Sequence, residues 1–185
     1  MDVTNAIEAI QDKLLGIEGA AYDTRVMLGR LVDEVQSESR ELKTDPTPWM
    51  DIARGERGVK EISGRDHNAR ILEYHGTTGM GTWGASRDET AWCSSFVNWC
   101  MVKAGIEGTN SAMARSWLKW GREIDRPVPG CVVVLRRGTG NSGHVGFYDS
   151  SDATHITLLG GNQSDEVCLK DYRSSDVLGY RMPTV

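Results

Sequence analysis

The hydrophobic period of this chain changes at Gly121, and that change constrains its fold more than any other feature. Before it, apolar residues recur at helical spacing. After it come four short runs, "GCVVVLRR", "GHVGFYDS", "HITLLGG" and "EVCLKDY", rich in β-branched residues and bounded by turn residues. Runs of this length and composition read as strands of a mostly antiparallel sheet. Helices first and strands afterwards predict an α+β fold. Within the helical half, "PWMDIARGE" predicts a short helix ending at Gly55, and "GRDHNARILEYH" places Ile71, Leu72 and Tyr74 at helical spacing. The glycine-rich stretch "GTTGMGTWGASRDE" then leads into a helix over 91–104 that stops at Gly105. A further helix is expected over 111–121, capped by Ser111 and ended by Gly121.

The first 36 residues carry a separate pattern. Ile7, Ile10, Leu14, Ile17, Ala21, Thr24, Leu28, Leu31 and Val35 step alternately by three and four residues, a heptad-like stripe on one helix. Either this helix lays its stripe on the body, or it forms a coiled coil with copies of itself or with a partner protein through residues 7–35. Gly16 and Gly19 each weaken the helix by about 1 kcal/mol against alanine, a cost that a partner surface would offset. Residues 37–48 contain the polar stretch ending in Pro46 and Pro48 and read as a linker, so the expected organisation is 1–36 helical segment, 37–48 linker and 49–185 body.

Composition removes several function classes. The chain has 185 residues, 39% hydrophobic and 25% charged, with a net charge of −5. The acidic excess sits in the leader and the body is close to neutral, without the basic stripe that nucleic acid needs or a polybasic membrane patch. No apolar run is long enough for membrane insertion. The opening "MDVTNAIEAIQDKLLGIEG" lacks the pattern of a secretory signal, which predicts a cytoplasmic location in the producing cell. Four scattered cysteines, Cys93, Cys100, Cys131 and Cys168, form neither a disulfide framework nor a zinc pattern, and no metal or other cofactor is expected.

One of those cysteines nominates a reaction. Cys93 opens the predicted helix in "AWCSSFVNWC", where the helix dipole and a nearby imidazolium lower a thiol pKa. His144 follows in "SGHVGFY" and Asn162 in "LLGGNQ", both on predicted strands. Cys, His and Asn in that order and on those elements make the catalytic set of a papain-like hydrolase: nucleophile, base, and a group that fixes the imidazole tautomer. The backbone N–H of Cys93 is an oxyanion donor by position. Tyr74 or a loop amide near Trp83 are candidates for the second donor, and Trp83, Trp92 and Tyr74 are candidate substrate-binding residues. His67, His75 and His155 have no partner at a suggestive spacing and read as structural or exposed.

The motifs "WCSSFVNWC", "GTNSAMARSWLKWG", "PVPGCVVVLRR", "GHVGFY", "ITLLGGNQSDEV" and "LGYRMP" together resemble the CHAP and NlpC-like cysteine peptidases and amidases that cut peptidoglycan, nearest to a subgroup of phage lysins and bacterial wall hydrolases. The resemblance covers residues 46–183 and leaves out the leader. It implies a papain-like fold, Cys93 as nucleophile, His144 as base and Asn162 as third member. Peptidoglycan stem peptides are the implied substrate, cut by an N-acetylmuramoyl-L-alanine amidase or an endopeptidase acting at the wall after release or injection. A component of a phage particle or secretion apparatus, or an injected antibacterial effector, is the alternative use of the same fold. Two positions depart from the family. Many CHAP domains carry a Glu two residues before the Asn, where this chain has Gly160, so Asn162 is left to orient the histidine. An Asp usual at the strand start is replaced by Cys131. The dense Asp cluster with which some CHAP domains bind calcium is not reproduced around Asp45 and Asp51.

Overall fold

A computed structural model describes residues 26–34 and 47–184. The chain divides into two compact units, Met1–Pro46 and Thr47–Val185. In the first, residues 26–34 are helical; the remainder of the heptad segment and most of the linker lie outside the described residues. Among the described residues, no helix is long and apolar enough to cross a membrane.

The second unit is α+β. Its helices are α1 (Pro48–Gly55), α2 (Ala69–His75), the single turn α3 (Thr82–Ala85) and α4 (Cys93–Lys103). Proline in the first turn of α1 costs no hydrogen bond, because those N–H groups lack helical partners. α2 is capped by Asn68, whose side chain accepts from the Arg70 N–H at 2.9 Å. α4 ends where the spacing predicts, at Ala104–Gly105. The helix expected over 111–121 is instead a 3-10 helix, Ala114–Lys119. Ser111 accepts from the Met113 N–H, closing a local turn, and Met113 stays extended, so the helix starts late.

Six strands follow: β1 (Arg122–Ile124), β2 (Val132–Arg136), β3 (Gly143–Ser151), β4 (His155–Gly160), β5 (Cys168–Arg173) and β6 (Val177–Met182). They form one antiparallel sheet in the order β1-β6-β2-β3-β4-β5. β1 and β6 escape the sequence signal. β1 is three residues long and two of them are charged, and β6 is interrupted by Gly179 and Arg181.

The sheet buries both faces at its centre, which is why β2 reads as an unbroken Val-Val-Val-Leu run. Val132, Val134, Val145, Phe147 and Leu159 face the main core with α1, α2 and α4. Cys131, Val133, Leu135, Ile156 and Leu158 form a second apolar layer. Tyr74, Trp92, Phe96 and Trp99 meet in the main core, with Tyr74 lying 5.9, 5.5 and 5.1 Å from the other three rings.

The close fit of α4 against the end of β4 depends on Gly161. A Cβ there would stand 2.4 Å from the Trp92 ring and 2.7 Å from the Phe96 Cβ. Both neighbours are fully buried and neither can swing away. Gly161→Ala is therefore expected to destabilise the protein by about 1–3 kcal/mol through overpacking, read as a lower denaturant midpoint, whereas Gly140→Ala, with open space around it, leaves the midpoint nearly unchanged.

Candidate active site

Cys93 reaches its position through an interruption in the sheet. Tyr148 exchanges backbone hydrogen bonds with Gly130 and Cys131 on the β2 side. By strand alternation, Val145 and Phe147 present their N–H groups to the β4 side. Pairing of β3 with β4, however, begins only at Phe147↔Leu159. The N–H of Val145 is thus beyond the ladder, on the strand against which α4 packs, and Cys93 and Val145 share one core cluster. The amides of Val145, Ser94 and Cys93 all pull the thiol pKa downward, as expected near a helix start.

Burial pushes the Cys93 thiol above its ordinary value, against the opposing pull of these amides and of the Arg137 charge. His144, only 4% exposed, is held down to about 4. Loss of solvation is the main cause, and the charges of Arg137 and Lys170 act in the same direction. At neutral pH Cys93 is therefore a thiol and His144 a neutral imidazole.

The group that orients His144 is Gln163, not Asn162. His144 Nε2 lies 3.0 Å from Gln163 Oε1. The Gln163 amide nitrogen donates to the backbone carbonyls of Leu158 and Cys168, which can only accept. Its oxygen must therefore face the imidazole, where it also accepts from the Tyr172 hydroxyl at 3.1 Å. An acceptor at Nε2 places the ring proton there and leaves Nδ1 bare. Tyr172 further supports the ring at a centroid distance of 5.1 Å.

Gly160 makes room for this arrangement: a Cβ at that position would stand 2.9 Å from Gln163 Oε1. The absence of a side chain at 160 and the amide reaching in from 163 are two halves of one solution. Asn162 takes φ +56° in the turn, a conformation asparagine tolerates. It lines a cavity with His144 but makes no hydrogen bond to the ring. Nothing in the sequence ranks Gln163 over its neighbour, since both are amides in one turn.

Two of the three candidate substrate-binding residues are also corrected. Tyr74 is fully buried and its hydroxyl donates to Glu56, so it is neither a groove wall nor an oxyanion donor. Trp92 is fully buried, and its indole N–H donates to Glu61 at 2.7 Å. Trp83 alone is accessible, 75% exposed with the Arg87 guanidinium 4.9 Å above its ring. Ser94 and Ser95, next to Cys93, are both buried. Ser94 binds the Ser111 carbonyl and the Trp117 indole, and Ser95 lies 3.0 Å from the buried His75. His67 pairs with Asp88, away from Cys93's partners. Among the described residues, no group of three or more His, Cys, Asp or Glu side chains is arranged to hold a metal.

Residues 85–162 match the family model of the CHAP domain, the stretch that carries Cys93, His144 and Asn162. A solved structure described as similar to a lipoprotein of the NLP/P60 family, from Staphylococcus aureus, aligns at 18% identity with a TM-score of 0.45. The alignment covers 77% of this chain and 46% of that one, so the chain spans less than half the length of that relative. No curated protein matches the chain significantly.

Two outcomes are expected from the geometry. Gln163→Leu removes the acceptor that fixes the tautomer and should lower kcat by about 10²-fold, with Asn162→Ala costing much less in the same assay. Stability should also follow His144. Below its ordinary value of 6.5, the unfolded chain takes up a proton that the native ring refuses down to about 4. Native stability is then lost as pH falls across that window, by on the order of 3 kcal/mol in total. Urea titrations from pH 7 to 4 should show this slope, and His144→Leu should make it shallower. A residual slope would come from His75, which burial also holds below its ordinary value.

Proposed function

We propose that this protein, with a CHAP-domain match over 85–162, is a cysteine hydrolase of peptidoglycan that cuts an amide bond in or at the stem peptide. The observation that carries the reading is Cys93 at the start of α4, packed in one core cluster with the Val145 that follows His144, whose tautomer Gln163 fixes. As the sulfur attacks the amide carbonyl carbon, His144 Nδ1 takes the thiol proton. The developing oxyanion is met by the backbone N–H of Cys93 at the helix start. The tetrahedral intermediate collapses, the C–N bond breaks, and the proton on Nδ1 passes to the leaving amine. Water, deprotonated by the same nitrogen, attacks the thioester and releases the acid, and the proton returns to the thiolate. Because the resting pair is neutral, His144 acts as a general base in the first step.

Within this reading the bond is that of an N-acetylmuramoyl-L-alanine amidase or of an endopeptidase. The phage-lysin assignment, with the enzyme held in the cytoplasm until release, rests on the motif resemblance across 46–183. The heptad stripe of residues 7–35 supports a role in self-association or docking. Purified sacculi test the chemistry directly. The unmodified protein should solubilise them, and Cys93→Ala and His144→Ala should lower the rate at least about 10³-fold. Equal digestion by Cys93→Ala would sink the mechanism. Mass spectrometry of the released muropeptides identifies the bond from the new amino terminus.

A further inference from the structure

Two surface depressions share one residue, Arg137, and the first also contains His144. One, of about 280 Å³, is lined by His144, Asn162, Ser164, Lys170, Tyr172 and the Leu135–Gly138 strand end. The other, of about 520 Å³, is lined by Ala91, Met113, Arg115, Arg137 and the turn residues Ser142 and Gly143. Neither lining contains an aspartate or a glutamate. This is a cationic cleft on a chain whose net charge is −5.

The basic groups around it are not equivalent. Arg136 pairs with Asp176 at 3.3 Å. Lys170 donates to Ser164 at 2.9 Å. Arg115 is spent on the turn itself, donating to the carbonyls of Ser142 and Gly140. Among the described residues, the Arg137 guanidinium has no hydrogen-bond or ion-pair partner. Its backbone is nonetheless fixed, because its N–H donates to the Ser142 carbonyl and Arg115 clamps the other side of the same turn. The guanidinium is therefore carried on a braced turn, exposed, and lines the same depression as His144. An unpaired guanidinium held in place this way is suited to bidentate recognition of a planar anion.

We propose that Arg137 anchors a free carboxylate of the substrate peptide beside the scissile amide, making it a specificity residue for carboxylate-bearing stem peptides. This deepens the peptide-hydrolase reading above and rests on it for the identity of the ligand. A γ-linked glutamyl residue supplies such a group, since the side-chain linkage leaves its α-carboxylate free within the chain.

The test uses two N-acetylated, C-terminally amidated stem tetrapeptides, alanyl-γ-glutamyl-lysyl-alanine, identical except that the glutamyl α-group is a carboxylate or a carboxamide. Binding is measured by calorimetry to the full-length Cys93→Ala protein, so that turnover plays no part. The carboxylate peptide should bind about 10-fold more tightly than the carboxamide. In the Cys93→Ala/Arg137→Gln protein that ratio should fall to about one, through weaker binding of the carboxylate form. Arg137→Lys should restore part of it. Arg137 is exposed and unpaired, and an unchanged thermal melt would show that the substitution leaves the fold intact. Equal binding of the two peptides, binding of neither, or a preference that survives Arg137→Gln would overturn the proposal. Sacculus digestion by the unmodified protein keeps the two readings separate. Digestion without carboxylate preference defeats the Arg137 assignment alone, and carboxylate-dependent binding without digestion defeats the hydrolase reading alone.

Discussion

The place where β4 leaves β3 is the constraint on which the rest of this site depends. A sheet that stayed paired to its end would have given the Val145 N–H to a carbonyl of β4. Here the ladder stops at Phe147↔Leu159, and the start of α4, with Cys93, packs against β3. The approach is possible because Gly161 has no side chain where Trp92 and Phe96 pack. Core packing and the placement of Cys93 are therefore one event, and a residue that fills the glycine pocket shifts Cys93 as well as straining the core.

The electrostatics follow from the same burial. An imidazole in this position would be stabilised as a cation by a carboxylate partner; a glutamine gives it direction without charge. Loss of solvation, with the charges of Arg137 and Lys170 acting the same way, keeps His144 neutral well below pH 7, and the Gln163 hydrogen bond opposes this only in part. A neutral buried imidazole of this kind comes at the cost of native stability in acid. The serines next to Cys93 and the histidine His75 serve a different purpose. They satisfy buried polar atoms beneath the helix and hold its first turns in register.

Much was legible without coordinates. The change of period placed the helical and strand halves, the β2–β5 runs, and α1, α2 and α4 near their observed bounds, because those elements bury apolar side chains in patterns that repeat locally. β1 and β6 were not legible, since their strand conformation comes from pairing with each other and with β2 rather than from their own residues. The helix expected over 111–121 became a 3-10 turn for a comparable reason: a local Ser111 contact competed with the helical ladder.

The sequence by itself determined the chemistry on offer: a cysteine at the start of a helix, a histidine at the start of a strand, an amide-bearing turn after the next strand. Only the tertiary structure decided which amide serves the histidine. Successive residues of a turn point in unrelated directions, and the left-handed backbone at Asn162 turns that side chain toward the cavity while Gln163 reaches over Gly160 to the ring. It decided in the same way that Tyr74 and Trp92 belong to the core and that Arg137 stands unpaired at the cleft. Burial and pairing are properties of contacts between distant segments, and no spacing along the chain encodes them.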